Sequence, residues 1–261
     1  MPYVCRSIIV VSLFCLTGPS VARGADTEYH HVHLMASDAT EAAAWYIEHM
    51  GCQAYEREAA CRYGHVQVLF IEREADGGSV GTAVDHIGFS FRDLDAKMVE
   101  WKAAGLTVLE DVREIDGLFK LAFIEDPWGT KIEVAQDHED LGLHHLHLRS
   151  PDPTATQAWY QNVFGGQQDR MKGRIDGLRW GRVWLIVSSD TDTDFVPTDT
   201  RSFHHLGWGV EDMAAFVAET KAKGIEFSAE PRQITNSAGQ DLIIAFIVGP
   251  DGALIEIVET L

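Results

Sequence analysis

Apolar and polar positions repeat along this chain in a fixed order. A run rich in Val, Ile, Leu and Phe comes first, then a stretch with helical spacing, then further short apolar runs. The helical stretches read ATEAAAWYIEHMG, LDAKMVEWKAAG, PTATQAWYQNVFG and MAAFVAETKAKG. Each follows an aspartate placed to cap it (Asp38, Asp93, Asp152, Asp212), and Gly51, Gly105, Gly165 and Gly224 stand where they stop. Runs such as HVQVLFIE, LAFIEDP, KIEVAQ, RVWLIVSS and LIEIVE supply strands. The pattern predicts four strand–helix–strand–strand–strand units, hence an α+β fold in two tandem modules. They span about 27–137 and 142–261, joined by the polar QDHEDLGL. Each unit has one sheet face to bury and a helix to cover the other, so paired units curl around a cleft.

Candidate chemistry repeats with the same frame. His31, His86, His145 and His205 each stand seven residues before a cap aspartate, and the first and third lie in the related runs YHHVHLMASD and LHHLHLRSPD. Glu133 in EDPWGTKIEV and Glu256 in VGPDGALIEIV each follow a turn on the next strand between apolar neighbours. A carboxylate turned inward is costly without a cation. The expected ligand sets are therefore His31, His86 and Glu133 in one half and His145, His205 and Glu256 in the other. Two imidazoles and one carboxylate suit a divalent metal (Fe2+, Mn2+, Zn2+ or Ni2+) with open positions for a small molecule bearing adjacent oxygens. Strand alternation puts His33 beside His31 and His147 beside His145, as proton-transfer candidates. The same alternation points His30 and His144 the other way, as structural residues, and His204 is expected to be structural too.

Residues 1–22 read as a secretory signal peptide: Arg6, the apolar SIIVVSLFCLTG, and small residues before a cleavage point at Arg23. A periplasmic or secreted protein is expected; a lipoprotein route through Cys15 is disfavoured by the bulky Phe14 before it. Without residues 1–22, which hold Arg6 and no acid, 20 basic and 40 acidic residues remain, a net charge of −20. That field repels nucleic acid and anionic membrane, leaving a small-molecule partner and a monomer or homodimer. Cys52 and Cys61 flank a segment expected to fold back as a hairpin. An exported chain favours their oxidation to a disulfide over two free thiols. Against the acidic background, QQDRMKGRIDGLRWG is basic. Arg174 and Arg179 are expected to border the second cleft and attract a carboxylate or phosphate, alongside a solvated-hairpin reading. That leans the substrate site toward the second module.

These motifs together resemble the vicinal oxygen chelate superfamily, also called the glyoxalase/bleomycin-resistance/extradiol-dioxygenase superfamily. The likeness rests on the His–six–Asp spacing, the Trp45–Tyr46 and Trp159–Tyr160 pairs, and DPWGTKIEV and GPDGALIEI, and covers essentially all of the chain after the leader. It implies paired βαβββ units around a metal cleft. In some fused relatives unit 1 pairs with unit 4, which would exchange the ligand partners. Glyoxalase I enzymes add an acidic ligand on the last strand of the first unit, where this chain offers only Gln67 inside HVQVLFIE with Glu72 at its far end, and no acid in the core of RVWLIVSS. Extradiol dioxygenases carry a tyrosine where this chain has Phe123 and Phe246, and a catalytic histidine that VREIDGLFK and SAGQDLII lack. What remains is a metal-dependent lyase, isomerase or oxygenase, or else a binding or sequestering protein without turnover.

Overall fold

The computed structural model describes residues 27–261 apart from 56, 192 and 193, so the expected leader at 1–22 lies outside the described residues. Unit 1 comprises β1 (Thr27–Ala36), α1 (Ala39–Met50), β2 (Gln53–Ala54), β3 (Ala60–Tyr63) and β4 (Val66–Glu72). Unit 2 comprises β5 (Val84–Ser90), α2 (Leu94–Ala104), β6 (Thr107–Glu114), β7 (Lys120–Glu125) and β8 (Lys131–Ala135). Unit 3 comprises β9 (Gly142–Ser150), α3 (Pro153–Phe164), β10 (Gln167–Met171), β11 (Ile175–Trp180) and β12 (Val183–Ser189). Unit 4 comprises β13 (Phe203–Val210), α4 (Met213–Ala222), β14 (Phe227–Thr235), β15 (Asp241–Val248) and β16 (Leu254–Thr260). The four aspartates cap their helices as read: Asp38, Asp93, Asp152 and Asp212 accept from the backbone N–H of Glu41, Ala96, Ala155 and Ala215. Gly51 then takes the left-handed conformation that ends α1 (φ 73°, ψ 20°).

The units form two mixed sheets of eight strands, in the orders β14-β15-β16-β13-β1-β4-β3-β2 and β10-β11-β12-β9-β5-β8-β7-β6. The α+β architecture of paired βαβββ units is as expected, but the partners are exchanged. Unit 1 shares its sheet with unit 4 through the antiparallel pair β1–β13, and unit 2 with unit 3 through β5–β9. The connections give a physical reason. Only residues 136–141 join β8 to β9, a link short enough to keep units 2 and 3 in one sheet. The links into units 2 and 4, at 73–83 and 190–202, are longer.

The halves of the sequence persist as packing partners. The α1 residue Tyr46 meets Phe89 of unit 2 with ring centres 6.1 Å apart, and its hydroxyl donates to Asp126 at 2.9 Å. In the same way Phe164 of α3 stacks on Trp208 of unit 4 at 4.2 Å. One continuous apolar core runs through all four units. Two smaller buried clusters, Leu242–Ile244–Val258 and a larger group around Phe119, Met171 and Trp184, lie one on each sheet, on the face that carries Glu256 or Glu133. Cys52 and Cys61 are joined as a disulfide with Cα atoms 5.7 Å apart, tying the end of α1 to β3.

Candidate metal centres

Each sheet gathers one cluster of donors on its concave face. In the first, His31 Nε2 lies 3.1 Å from Glu256 Oε2 and 3.4 Å from His205 Nε2, while His205 Nε2 lies 2.8 Å from Glu256 Oε2. In the second, His86 Nε2 lies 3.1 Å from Glu133 Oε2 and 3.4 Å from His145 Nε2, and His145 Nε2 is 3.6 Å from that carboxylate. The expected sets are therefore corrected. His31 joins His205 and Glu256, His145 joins His86 and Glu133, and His31 and His86 stand in different sheets. Each first-strand histidine crosses to the partner unit because β1 pairs β13 and β9 pairs β5.

Two glycines make that crossing possible. A Cβ on Gly207 would lie 2.1 Å from the His31 ring, and one on Gly88 would lie 2.1 Å from the His145 ring. The sequence therefore writes His–x–Gly on the fifth strand of each half: the histidine contributes a donor, and the glycine clears space for its partner.

The charge states suit a cation. Burial pushes His31 below its ordinary value, and His205 and His145 down to about 4, so these rings are neutral and keep a lone pair. Burial would push Glu256 and Glu133 up. The histidines beside them outweigh it and hold both carboxylates well below their usual range. Neutral imidazole nitrogens and an ionised carboxylate within 4.8 Å of one another, all buried, are the donors that a divalent metal takes.

His33 and His147 belong to the same clusters. His33 Nδ1 lies 2.7 Å from His205 Nε2, and its side chain is 16% exposed. The Nε2 of His147 is held by Ser188 Oγ at 2.6 Å, and its Nδ1 is buried with no hydrogen-bond partner among the described residues.

The residue before each donor histidine has a role that strand alternation hides. In the β1–β13 and β5–β9 ladders the register slips at four points, leaving His30, His204, Asp85 and His144 unpaired. Each is a β-bulge, and a bulge re-aims its side chain. The His30 and His31 Nδ1 atoms lie 2.8 Å apart, those of His144 and His145 2.9 Å, and those of His204 and His205 2.5 Å, while Asp85 Oδ1 lies 2.5 Å from His86 Nδ1. With Nε2 kept as a lone pair, the donor ring carries its proton on Nδ1 and donates it to the bulged neighbour, which fixes tautomer and orientation. His30, His144 and His204 are thus outer partners of the centres rather than structural histidines facing away. The repeated His–His pair, with Asp–His in unit 2, was the signal for them.

The cleft mouths differ. The first centre opens into a cavity of about 80 Å³ lined by His33, Gln67, Asn236, Gln240 and Arg57. Arg57, which the sequence reading passed over, sits at the tip between the two cysteines and donates to Ser237 Oγ at 3.1 Å. In the second sheet the cations of the basic hairpin are engaged by acids. Arg179 grips Asp140 through two 2.8 Å contacts, Lys172 binds Asp137 and Glu139, Arg170 pairs with Asp176, and Arg174 lies 3.8 Å from Asp116. Arg174 and Arg179 are therefore each set against an acid, because an acid-rich chain supplies each cation with a carboxylate. On both sheets the phenylalanine across from the acid, Phe123 or Phe246, sets its ring edge-on to the donor histidine at 5.3 or 5.5 Å and brings no hydroxyl.

The model of the Glyoxalase/Bleomycin resistance protein/Dioxygenase superfamily matches this chain twice, over residues 28–134 and 142–257. Among solved structures, glyoxalase I from Zea mays is similar at 16% identity and TM-score 0.67, covering 89% of this chain and 92% of the other. A proposed dioxygenase of Bacillus subtilis is similar at 14% identity and TM-score 0.63, covering 91% and 86%. No curated protein sequence matches the chain significantly.

Proposed function

We propose that this chain, which belongs to the glyoxalase/bleomycin resistance protein/dioxygenase superfamily, is an exported metal-dependent enzyme. Its working site is the centre built from units 1 and 4, and it acts on a small molecule with adjacent oxygens. The observation that carries this reading is the convergence of His31, His205 and Glu256 on one point, with His31 and Glu256 lining a cavity. His31, His205 and Glu256 would hold a divalent metal there, which would supply Lewis-acid chemistry toward an oxygen of the bound molecule.

The protein's own groups supply the rest. Burial and the neighbouring His205 push His33 down to about 4, so the ring is a neutral base at ordinary pH. Standing beside the donors at the edge of the cavity, the His33 ring takes a proton from the bound molecule and returns it. Arg57 offers a carboxylate or similar anionic group a partner at the cavity mouth. Phe246 keeps one wall apolar and donates no proton, which favours the proton-transfer chemistry of a lyase or isomerase over oxygenation. The alternative, a protein that sequesters the same class of molecule without turnover, is favoured by that same lack of a tyrosine hydroxyl. Each donor set is completed within the chain, so either a monomer or a homodimer carries the whole site.

Anaerobic reconstitution with each of the four metals, followed by panels of 2-oxoaldehydes, acyl thioesters and catechols, tests the assignment. Turnover that disappears in His205→Ala and has its proton-transfer step slowed in His33→Ala supports the enzyme. Stoichiometric binding without product supports sequestration. Turnover that survives His205→Ala sinks the site.

A further inference from the structure

The two centres share a donor set and differ in everything above it. Opposite His31 on β4 stands Gln67; opposite His145 on β12, at the matching position, stands Trp184. The next inward positions are Leu69 and Ile186. Around Trp184 pack Phe119, Leu121, Phe123, Met171 and Ile186, all buried. Two hairpin tips meet across this apolar plug. Arg174 crosses over Gly117, where a Cβ would lie 2.3 Å from the guanidinium, while Lys172 reaches Asp137. Among the described residues, the corresponding tips of the other sheet touch through the exposed Arg57–Ser237 hydrogen bond.

The second difference lies in the fourth donor. Ser188 pairs in register with Arg149 and holds His147 Nε2, which leaves the buried Nδ1 of that ring unpartnered. At the position matching Ser188, unit 1 has Ile71, which offers no hydrogen bond. His33 is therefore not anchored in this way and borders the cavity.

We infer that the centre made by His86, Glu133, His145 and His147 is a closed structural metal site of four protein donors, separate from the working site. Three imidazoles and a carboxylate are enough for a tetrahedral shell, as in structural zinc sites, whereas a catalytic site keeps a position open. Both centres gather such a set, and what separates them is the Ser188 hydroxyl that holds His147 by Nε2 while His33 borders the cavity. Trp184 and its buried neighbours stand where the other centre has Gln67 and its cavity, although the His147 ring itself is only partly buried. The outer partners here end on carboxylates, Asp85 beside His86 and Asp137 at 3.4 Å from His144, and each carboxylate also binds a lysine. The other centre's first histidine leads instead through His30 to the neutral Gln67. The assignment rests on the reading above that both donor groups hold metal.

Chelator challenge of the metal-loaded full chain tests it, with metal counted by elemental analysis and release followed by a coloured chelator. The expected result is two equivalents per chain. One leaves quickly and the other stays until the protein unfolds. His147→Ala should lose the slow equivalent and lower the melting temperature; His31→Ala should lose the fast one. If His147→Ala does not fold, Ser188→Ala reports on the same bond. It should speed slow release about 10-fold, the lower end of what losing an outer partner costs in metal affinity. Cobalt(II) in the slow site should show the intense absorption of four-coordination. Two equivalents leaving at one rate would overturn the inference while leaving the proposed function standing. So would a slow equivalent lost in His31→Ala. A chain that takes up no metal would overturn both.

Discussion

Gly207 shows how a residue with no side chain can decide whether a centre exists. A Cβ there would lie 2.1 Å from the His31 ring, so alanine would push that ring out of the donor set. Gly207→Ala should therefore abolish one metal equivalent while Ala substitutions on the exposed face leave it, as elemental analysis can show; Gly88→Ala should remove the other. A second residue gives a pH signature. Burial raises Asp126 to about 6, against the hydrogen bonds it accepts from Tyr46, Trp128 and Thr130. The folded state thus holds a proton that the unfolded chain releases near pH 4, so this group's contribution to stability falls as pH rises from about 4 through 6. Asp126→Asn should remove that decline, which for two pKa units amounts to ~3 kcal/mol. Urea unfolding of both proteins at pH 4 and pH 7 measures the difference. Were the variant less stable by the same amount at both pH values, the buried proton would be disproved.

Strand and helix positions were largely legible because each rests on short-range chemistry. The aspartate caps, the glycine stops and the Pro–x–Gly turns before Glu133 and Glu256 act within a few residues of themselves. The bulges were not legible, since alternation assigns every second residue to one face and a bulge breaks that count where His30, Asp85, His144 and His204 sit. Nor could the basic run 167–181 reveal that its cations meet Asp116, Asp137 and Asp140, residues that a connection and a distant turn supply. The disulfide belongs to this level too. It pins a two-residue edge strand and closes a separation of nine residues, so Cys52→Ala with Cys61→Ala should cost about 2–3 kcal/mol by chemical denaturation. Because Arg57 sits on the pinned tip, ligand affinity at the open cavity should weaken in that variant as well. Unchanged affinity would remove Arg57 from the ligand's surroundings.

For the molecule as a whole, the unit pairing was the part the sequence left undecided. All four units carry the same strand pattern, and either pairing buries the same faces and assembles two equivalent donor sets. The exchange of partners makes a sharp genetic prediction. Single variants His31→Ala and His205→Ala should each lose one metal equivalent, and the double variant should lose no more. His31→Ala combined with His86→Ala should lose both, because those residues serve different centres. The opposite pattern in metal content would return the donors to within-half pairing.

The nesting of one sheet inside the sequence span of the other also sets an order in time. His145 and His86 are 59 residues apart, whereas His31 must wait for Glu256, 225 residues later. Loop closure over the shorter span is entropically easier, and a chain made from its N-terminus presents the inner donors first. The inner centre can therefore act as a nucleus on which the outer sheet closes, and the open cavity is the last feature of the protein to form. Refolding from denaturant with limiting metal should fill the inner centre before the outer one, and stopped-flow metal uptake in His147→Ala and His31→Ala chains would reveal which phase each centre owns.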